Sequence, residues 1–245
     1  MRVIGIGGRS FCGSTILSKL FGAVPGVASV GEAHWILHDP RGRGKCRLCR
    51  GDCRVFSKLR EYDTSTRPKN FYRRLLQSYG KGFHTLVTSD KAILNFKNFV
   101  PKGEMDCIIL FRSPHGTVES DLKRGVRTTD EALDMWHERY RDLLTWSERW
   151  CQKTVVVDFE VLCEDYRAMM RVLLRELGLF EDAQFPTALN SIPVHLVATN
   201  DGAAKANLIR SVKDWKLPQD TVDYIDSCGG VMRIYKTLCE RAIKL

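Results

Sequence analysis

Nothing in this chain of 245 residues approaches the run of about 18 apolar residues that a membrane-spanning helix requires, so no span is expected. The N-terminus lacks the charged-then-apolar pattern of a cleavable signal and opens directly on the short apolar strand Val3-Ile4-Gly5-Ile6. Internal repeats and low-complexity tracts are absent, which excludes solenoids and biased tails. Acidic residues fall short of basic ones, 29 against 38, and the net charge of +9 points to an anionic ligand. Basic clusters occur at Arg41-Gly42-Arg43-Gly44-Lys45 and Arg73-Arg74, but no basic-and-aromatic array accompanies them, so nucleic acid is not the expected partner. Cysteine is not scarce. The count of nine is odd, and Cys107, Cys163 and Cys239 fall inside predicted strands or helices, which implies reduced thiols and a cytoplasmic setting.

The strand at 2–6 runs into Gly7-Gly8-Arg9-Ser10-Phe11-Cys12-Gly13-Ser14-Thr15, and an apolar helix predicted over 14–22 follows at once. A strand, a loop of small residues and a helix N-terminus form an anion cradle, because backbone N–H groups and the positive end of the helix dipole face the loop. A phosphate or sulfonate is the expected ligand. The nucleotide-hydrolase form of such a loop ends in Gly-Lys-Ser/Thr, with the lysine on the terminal phosphates. That lysine is missing here, and the charge comes earlier, from Arg9.

Apolar periodicity predicts strands at 27–30, 84–88, 106–111 and 154–158 and helices at 69–80, from 114, at 129–150, up to 178 and after 217. Strands alternating with helices imply an α/β fold with a parallel central sheet between two helical layers. Ligands in such sheets bind beyond the C-terminal strand edges, where Gly13 and Arg112 both fall.

The loop Gly8–Leu17 resembles the 5′-phosphosulfate loop of sulfotransferases that use 3′-phosphoadenosine-5′-phosphosulfate (PAPS), commonly R-S-G-[ST]-T-L-L, with Phe11-Cys12 inserted. Arg112, after the strand Asp106–Phe111, and Ser120, eight positions on, match in type and spacing the arginine and serine that hold the 3′-phosphate in that family. Val155–Asp165 is similar to the family's strand and "YEDL…DP" turn. His195–Asn200 and Lys205…Asp214-Trp215-Lys216 resemble its late "H…GN…R…W" segment, with Thr199 for the glycine and Lys205 for the arginine. The resemblance implies one sulfotransferase domain over 1–245, with a three-layer α/β fold on the P-loop nucleotide-hydrolase plan. It implies PAPS as donor, contacts from Arg9, Ser10, Phe11, Cys12, Gly13, Ser14, Thr15, Arg112, Ser120 and Lys205, and an acceptor pocket from 36–80 and 180–217. The acceptor is a hydroxyl or amine on a sugar, peptide, lipid or small molecule.

Sulfonyl transfer needs a base for the acceptor and a cation for the leaving oxygen. Glu32 follows the second strand at the same sheet edge as the loop, and Gly31-Glu32 matches the "GE" of tyrosylprotein sulfotransferases, where the glutamate takes the acceptor proton. His34 is the alternative base. Ser89-Asp90-Lys91 resembles the family's "DSSK" element, which implies Lys91 on the bridging oxygen. Cys46, Cys49 and Cys53 have the spacing of a zinc knuckle that needs a fourth ligand, such as His34 or His38; free or redox-active thiols are the other reading, and no metal is assigned. Two other functions fit the loop: a P-loop kinase of a small metabolite, which the missing lysine disfavours, and a non-enzymatic polyanion-binding protein.

Overall fold

The unbroken apolar runs around Val3–Ile6 and Cys107–Phe111 have the consequence expected of strands covered on both faces. In the computed structural model, which describes residues 1–37, 45–47, 49, 53–59, 70–91, 93–180, 183–192, 194–197 and 215–245, five strands form one parallel sheet. They are β1 (Arg2–Gly7), β2 (Val27–Ser29), β3 (Thr85–Thr88), β4 (Met105–Phe111) and β5 (Lys153–Asp158), in the order β2-β3-β1-β4-β5. Register is fixed by pairs such as Ile4 with Val87 and with Asp106, and Ile109 with Val156.

Alternate strand residues feed two apolar layers. Ile4, Ile6, Ile108, Leu110 and Val157 pack with α1 (Ser14–Gly22), α6 (Phe159–Glu164) and α7 (Tyr166–Glu176). Val3, Cys107, Ile109, Phe111 and Val156 pack with α2 (Phe71–Ser78), α5 (Thr129–Trp150) and the two C-terminal helices Gln219–Ser227 and Gly229–Arg241. Completing the set are α3 (Ile93–Phe99) and α4 (Pro114–Arg124). The expected three-layer α/β architecture is the observed one. Among the described residues, no helix is long and apolar enough to cross a membrane.

Local chemistry explains most boundaries. Ser113 caps α4 by accepting from Gly116 N at 3.1 Å, Pro114 opens the helix, and Gly125 ends it at φ 60°. A capping box between Thr128 and Glu131 starts α5, whose Leu133, Trp136, Tyr140 and Leu143 form the buried stripe. Three expectations need correction. The helix expected to run to 178 is two, because the Asp165 carboxylate accepts from Arg167 N and Ala168 N and starts a new one. The single final helix is also two, broken at Cys228 ahead of Gly229-Gly230. The helix α3 was not expected.

Because all five strands run parallel, the segments after β1, β2, β3, β4 and β5 emerge along one edge. Their order across that edge places the residues after β2 and β3 on one side of the β1 loop and those after β4 and β5 on the other.

Candidate active site

The β1 loop enters α1 through Gly13, at φ 97° and with no side-chain cap, so the positive end of the helix is left to the loop. A Cβ at Gly13 would lie 2.1 Å from Phe159 Cε2, so only glycine closes this turn. Phe11 also adopts positive φ, 67°, rare outside glycine. Ser10 is exposed, whereas Ser14 and Thr15 are buried at the helix start. The buried Cys12 thiol is raised in pKa by burial, against the opposing charge of Lys91 and hydrogen bonding from Ser14. Lys91 is thereby placed within electrostatic reach of the loop.

For Arg9 the family resemblance implies an anion contact, and in the structure its Nε and Nη1 are buried without a hydrogen-bond partner. Its guanidinium is 2% exposed and forms an ion pair with Asp121, a fully buried carboxylate on α4 that also accepts from Arg127 Nη1 at 3.2 Å. Arg9 N donates to Tyr140 Oη at 3.4 Å, and that hydroxyl donates to Leu110 O at 3.1 Å. Arg9 therefore ties the loop to α4 and α5, leaving the Gly13-Ser14-Thr15 half facing the helix's positive end.

On the β4–β5 side, Arg112 is 9% exposed and its carbonyl accepts from Trp136 Nε1 at 2.9 Å. Its Nε is buried without a hydrogen-bond partner, and Glu160 Oε1 stands off at 3.9 Å. Burial lowers the Arg112 pKa, while Glu160 and Glu119 oppose that shift. Ser120 lies on α4, where its Oγ accepts from Arg124 Nη1. Arg124 also covers the Phe11 ring at 4.6 Å, so one guanidinium bridges the β1 loop and Ser120. Sequence reading missed Arg124, although its i,i+4 spacing from Ser120 on a helix was a usable signal. Trp215 closes this side, with Nε1 donating to Glu160 Oε1 at 3.4 Å and its ring stacked 4.7 Å from His115. Lys205 and Asp214 lie outside the described residues.

On the β2–β3 side, Lys91 Nζ donates to Glu32 Oε1 at 2.7 Å, and Trp35 Nε1 donates to Glu32 Oε2 at 3.3 Å. Both members of the ion pair keep about a fifth of their side-chain surface exposed. His34 is anchored instead by Asp90: its backbone N and Nδ1 both reach Asp90 Oδ1, at 3.0 and 2.7 Å. Asp90 is fully buried and also accepts from Tyr72 Oη at 2.5 Å and Thr88 Oγ1 at 2.9 Å.

The same edge carries a second cluster. Cys46, Cys49 and Cys53 place their sulfurs 3.4, 3.5 and 3.2 Å from His195 Nδ1. The histidine beside the three cysteines is thus His195 and not His34, whose Nδ1 belongs to Asp90; His38 lies outside the described residues.

Solved structures share this arrangement of sheet and flanking helices. The sulfotransferase domain from the curacin biosynthetic pathway superposes with a TM-score of 0.57 over 97% of each chain at 14% identity. Its fold is that of the sulfotransferases. The sulfotransferase domain of the Synechococcus PCC 7002 olefin synthase matches this fold with a TM-score of 0.59 over 93% of this chain and 94% of its own, at 17% identity. A sulfotransferase from Alicyclobacillus acidocaldarius does so with a TM-score of 0.53 over 99% and 97%, at 11% identity. No family profile and no curated protein matches the sequence. At these identities the sulfotransferase fold is what the neighbours share with this chain.

Proposed function

We propose that the protein transfers a sulfonate group from PAPS to a hydroxyl or amine acceptor. The observation that carries this reading is the Lys91–Glu32 contact at 2.7 Å, which joins a cation and a base 59 positions apart beside a strand-to-helix anion loop. The loop's Gly13-Ser14-Thr15 half and the N-terminus of α1 receive the phosphosulfate. Arg112, with a buried donor lacking a partner, fits the 3′-phosphate together with Ser120 and Arg124, since guanidinium groups fork onto phosphate oxygens. Trp215 closes over the same side.

On the opposite side Glu32 takes the acceptor proton as the new bond to sulfur forms. The bond from sulfur to the phosphate oxygen breaks, and Lys91 neutralises the charge left on that oxygen. With the donor in place Lys91 turns from Glu32 to the bridging oxygen, which frees the carboxylate to act. One observation supports His34 as a second candidate base: Asp90 fixes its Nδ1, as a carboxylate orients a catalytic imidazole. Cys46, Phe56 and His195, among the described residues of segments 36–80 and 180–217, stand on the acceptor side.

Calorimetry tests the donor assignment. Wild-type protein should bind 3′-phosphoadenosine-5′-phosphate more tightly than adenosine 5′-phosphate, and Arg112→Ala should remove about 2 kcal/mol or more of that preference, as expected for charged hydrogen bonds. Equal affinities for the two nucleotides in the wild type would sink the assignment.

A further inference from the structure

The side chains of Cys46, Cys49, Cys53 and His195 converge so that all four ligand atoms lie within 4.8 Å of one another. Hydrogen bonding does not account for this. A ring nitrogen offers one proton or one lone pair, yet three sulfurs approach the same Nδ1 at 3.2 to 3.5 Å. Disulfide pairing does not account for it either, since none of the nine cysteines, all among the described residues, is in a disulfide.

A shared cation satisfies all four groups. Zinc binds sulfur at about 2.3 Å and nitrogen at about 2.0–2.1 Å, so tetrahedral geometry sets each sulfur about 3.6 Å from the nitrogen. The observed separations fall just inside that value. Three thiolates and one imidazole are a ligand set that selects zinc over magnesium or calcium.

We propose that Cys46, Cys49, Cys53 and His195 bind one zinc ion as a closed structural site that fastens the acceptor-side loops to the sheet edge. Four protein ligands fill the tetrahedron and leave no open position for substrate, so the ion does not enter the transfer reaction. Its effect is on placement. Arg47 N donates to Leu196 O at 2.9 Å, joining the cysteine loop to the segment after His195. Val197 N donates to Val30 O at 3.0 Å and Glu32 N donates to Val197 O at 3.2 Å, joining that segment to the candidate base. Tyr79 Oη shares its one proton between Ser29 O and His195 O, at 3.2 and 3.3 Å, and the His195 ring packs edge-on against Tyr79 and Phe56. The ligating histidine is thus two residues from the strand bridge between Gly31 and Val197. The site binds metal whether or not the donor is PAPS.

Elemental analysis of untagged protein purified without chelators should find about one zinc per chain. Cobalt(II) exchanged into the site should give thiolate charge-transfer bands and the visible absorption of a tetrahedral centre. Cys49 is exposed, so Cys49→Ser should fold and lose at least about 10-fold in zinc affinity, as should His195→Gln. Cys239→Ser, outside the cluster, should keep the metal. Chelation should raise amide exchange at 30–32 and 194–197. Folded wild-type protein that takes up neither zinc nor cobalt(II), a disulfide among the three cysteines in folded metal-free protein, or full zinc content in both ligand variants would each overturn the proposal.

Discussion

Two acids on the β5 side, Asp158 and Glu160, have pKa values pushed up by burial first, in Glu160 against an opposing hydrogen bond from Ser113 and the nearby charge of Arg112. Ser113 Oγ donates to Glu160 Oε1 at 2.7 Å, so the carboxylate is held but incompletely compensated. A carboxyl whose folded value lies above its unfolded one contributes stability that is complete below the unfolded value and is lost as pH rises through the folded value. Acidification from neutrality toward the ordinary carboxylate range, about 4 to 4.5, should therefore strengthen this corner of the fold. In Glu160→Gln the response of Glu160 is gone. Urea midpoints at about pH 7 and pH 5 should show the wild type gaining on the variant as pH falls. A gap that stays constant between the two pH values would contradict the assignment of a raised Glu160 pKa.

The helix α5 connects this chemistry to the scaffold. Its Trp136 holds the Arg112 carbonyl and its Tyr140 hydroxyl sits between Arg9 N and Leu110 O. Tyr140 is fully buried, so Tyr140→Phe leaves a donor and an acceptor without water or partner, a loss of about 1–3 kcal/mol. Thermal unfolding should shift down by several degrees, and donor affinity should fall because the β1 loop loses its tie to α5. Thr128→Ala removes the N-terminal cap of α5 and should destabilise by about 1 kcal/mol with donor affinity unchanged. Equal effects of the two variants on donor binding would remove Tyr140 from the site's support. The start of α5 was legible because Thr128, Glu131 and the stripe from Leu133 to Leu143 are local signals. The breaks at Asp165 and Cys228 were not, since apolar periodicity continues across them and only a side-chain cap or a glycine pair decides the boundary.

At the scale of the whole molecule, strand order brings separate motifs to one sheet edge. The β1 loop was readable as an anion cradle from residue type and position after a strand, whereas Glu32, Lys91 and Arg112 were singled out through the family resemblance as well. Their shared edge followed from the parallel sheet, but their order along it did not, because it depends on β3 inserting between β2 and β1, a pairing of distant segments. The same limit hid the partner of Arg9, which lies 112 positions away, and the fourth group beside the cysteines, which lies 142 positions beyond Cys53. This order also predicts a division of labour. Strands β2 and β4 are separated by β3 and β1, about 14 Å at the usual strand spacing, and Glu32 and Arg112 follow those two strands. Glu32→Gln should reduce sulfonate transfer by about 100-fold or more, a typical general-base effect, with donor affinity unchanged. Arg112→Ala should act mainly on donor binding. At that separation the two losses in kcat/KM should add in free energy to within about 0.5 kcal/mol. A double variant no worse than Glu32→Gln alone would show that the two sides of the sheet edge do not work independently, and the separation of donor and acceptor halves would have to be abandoned.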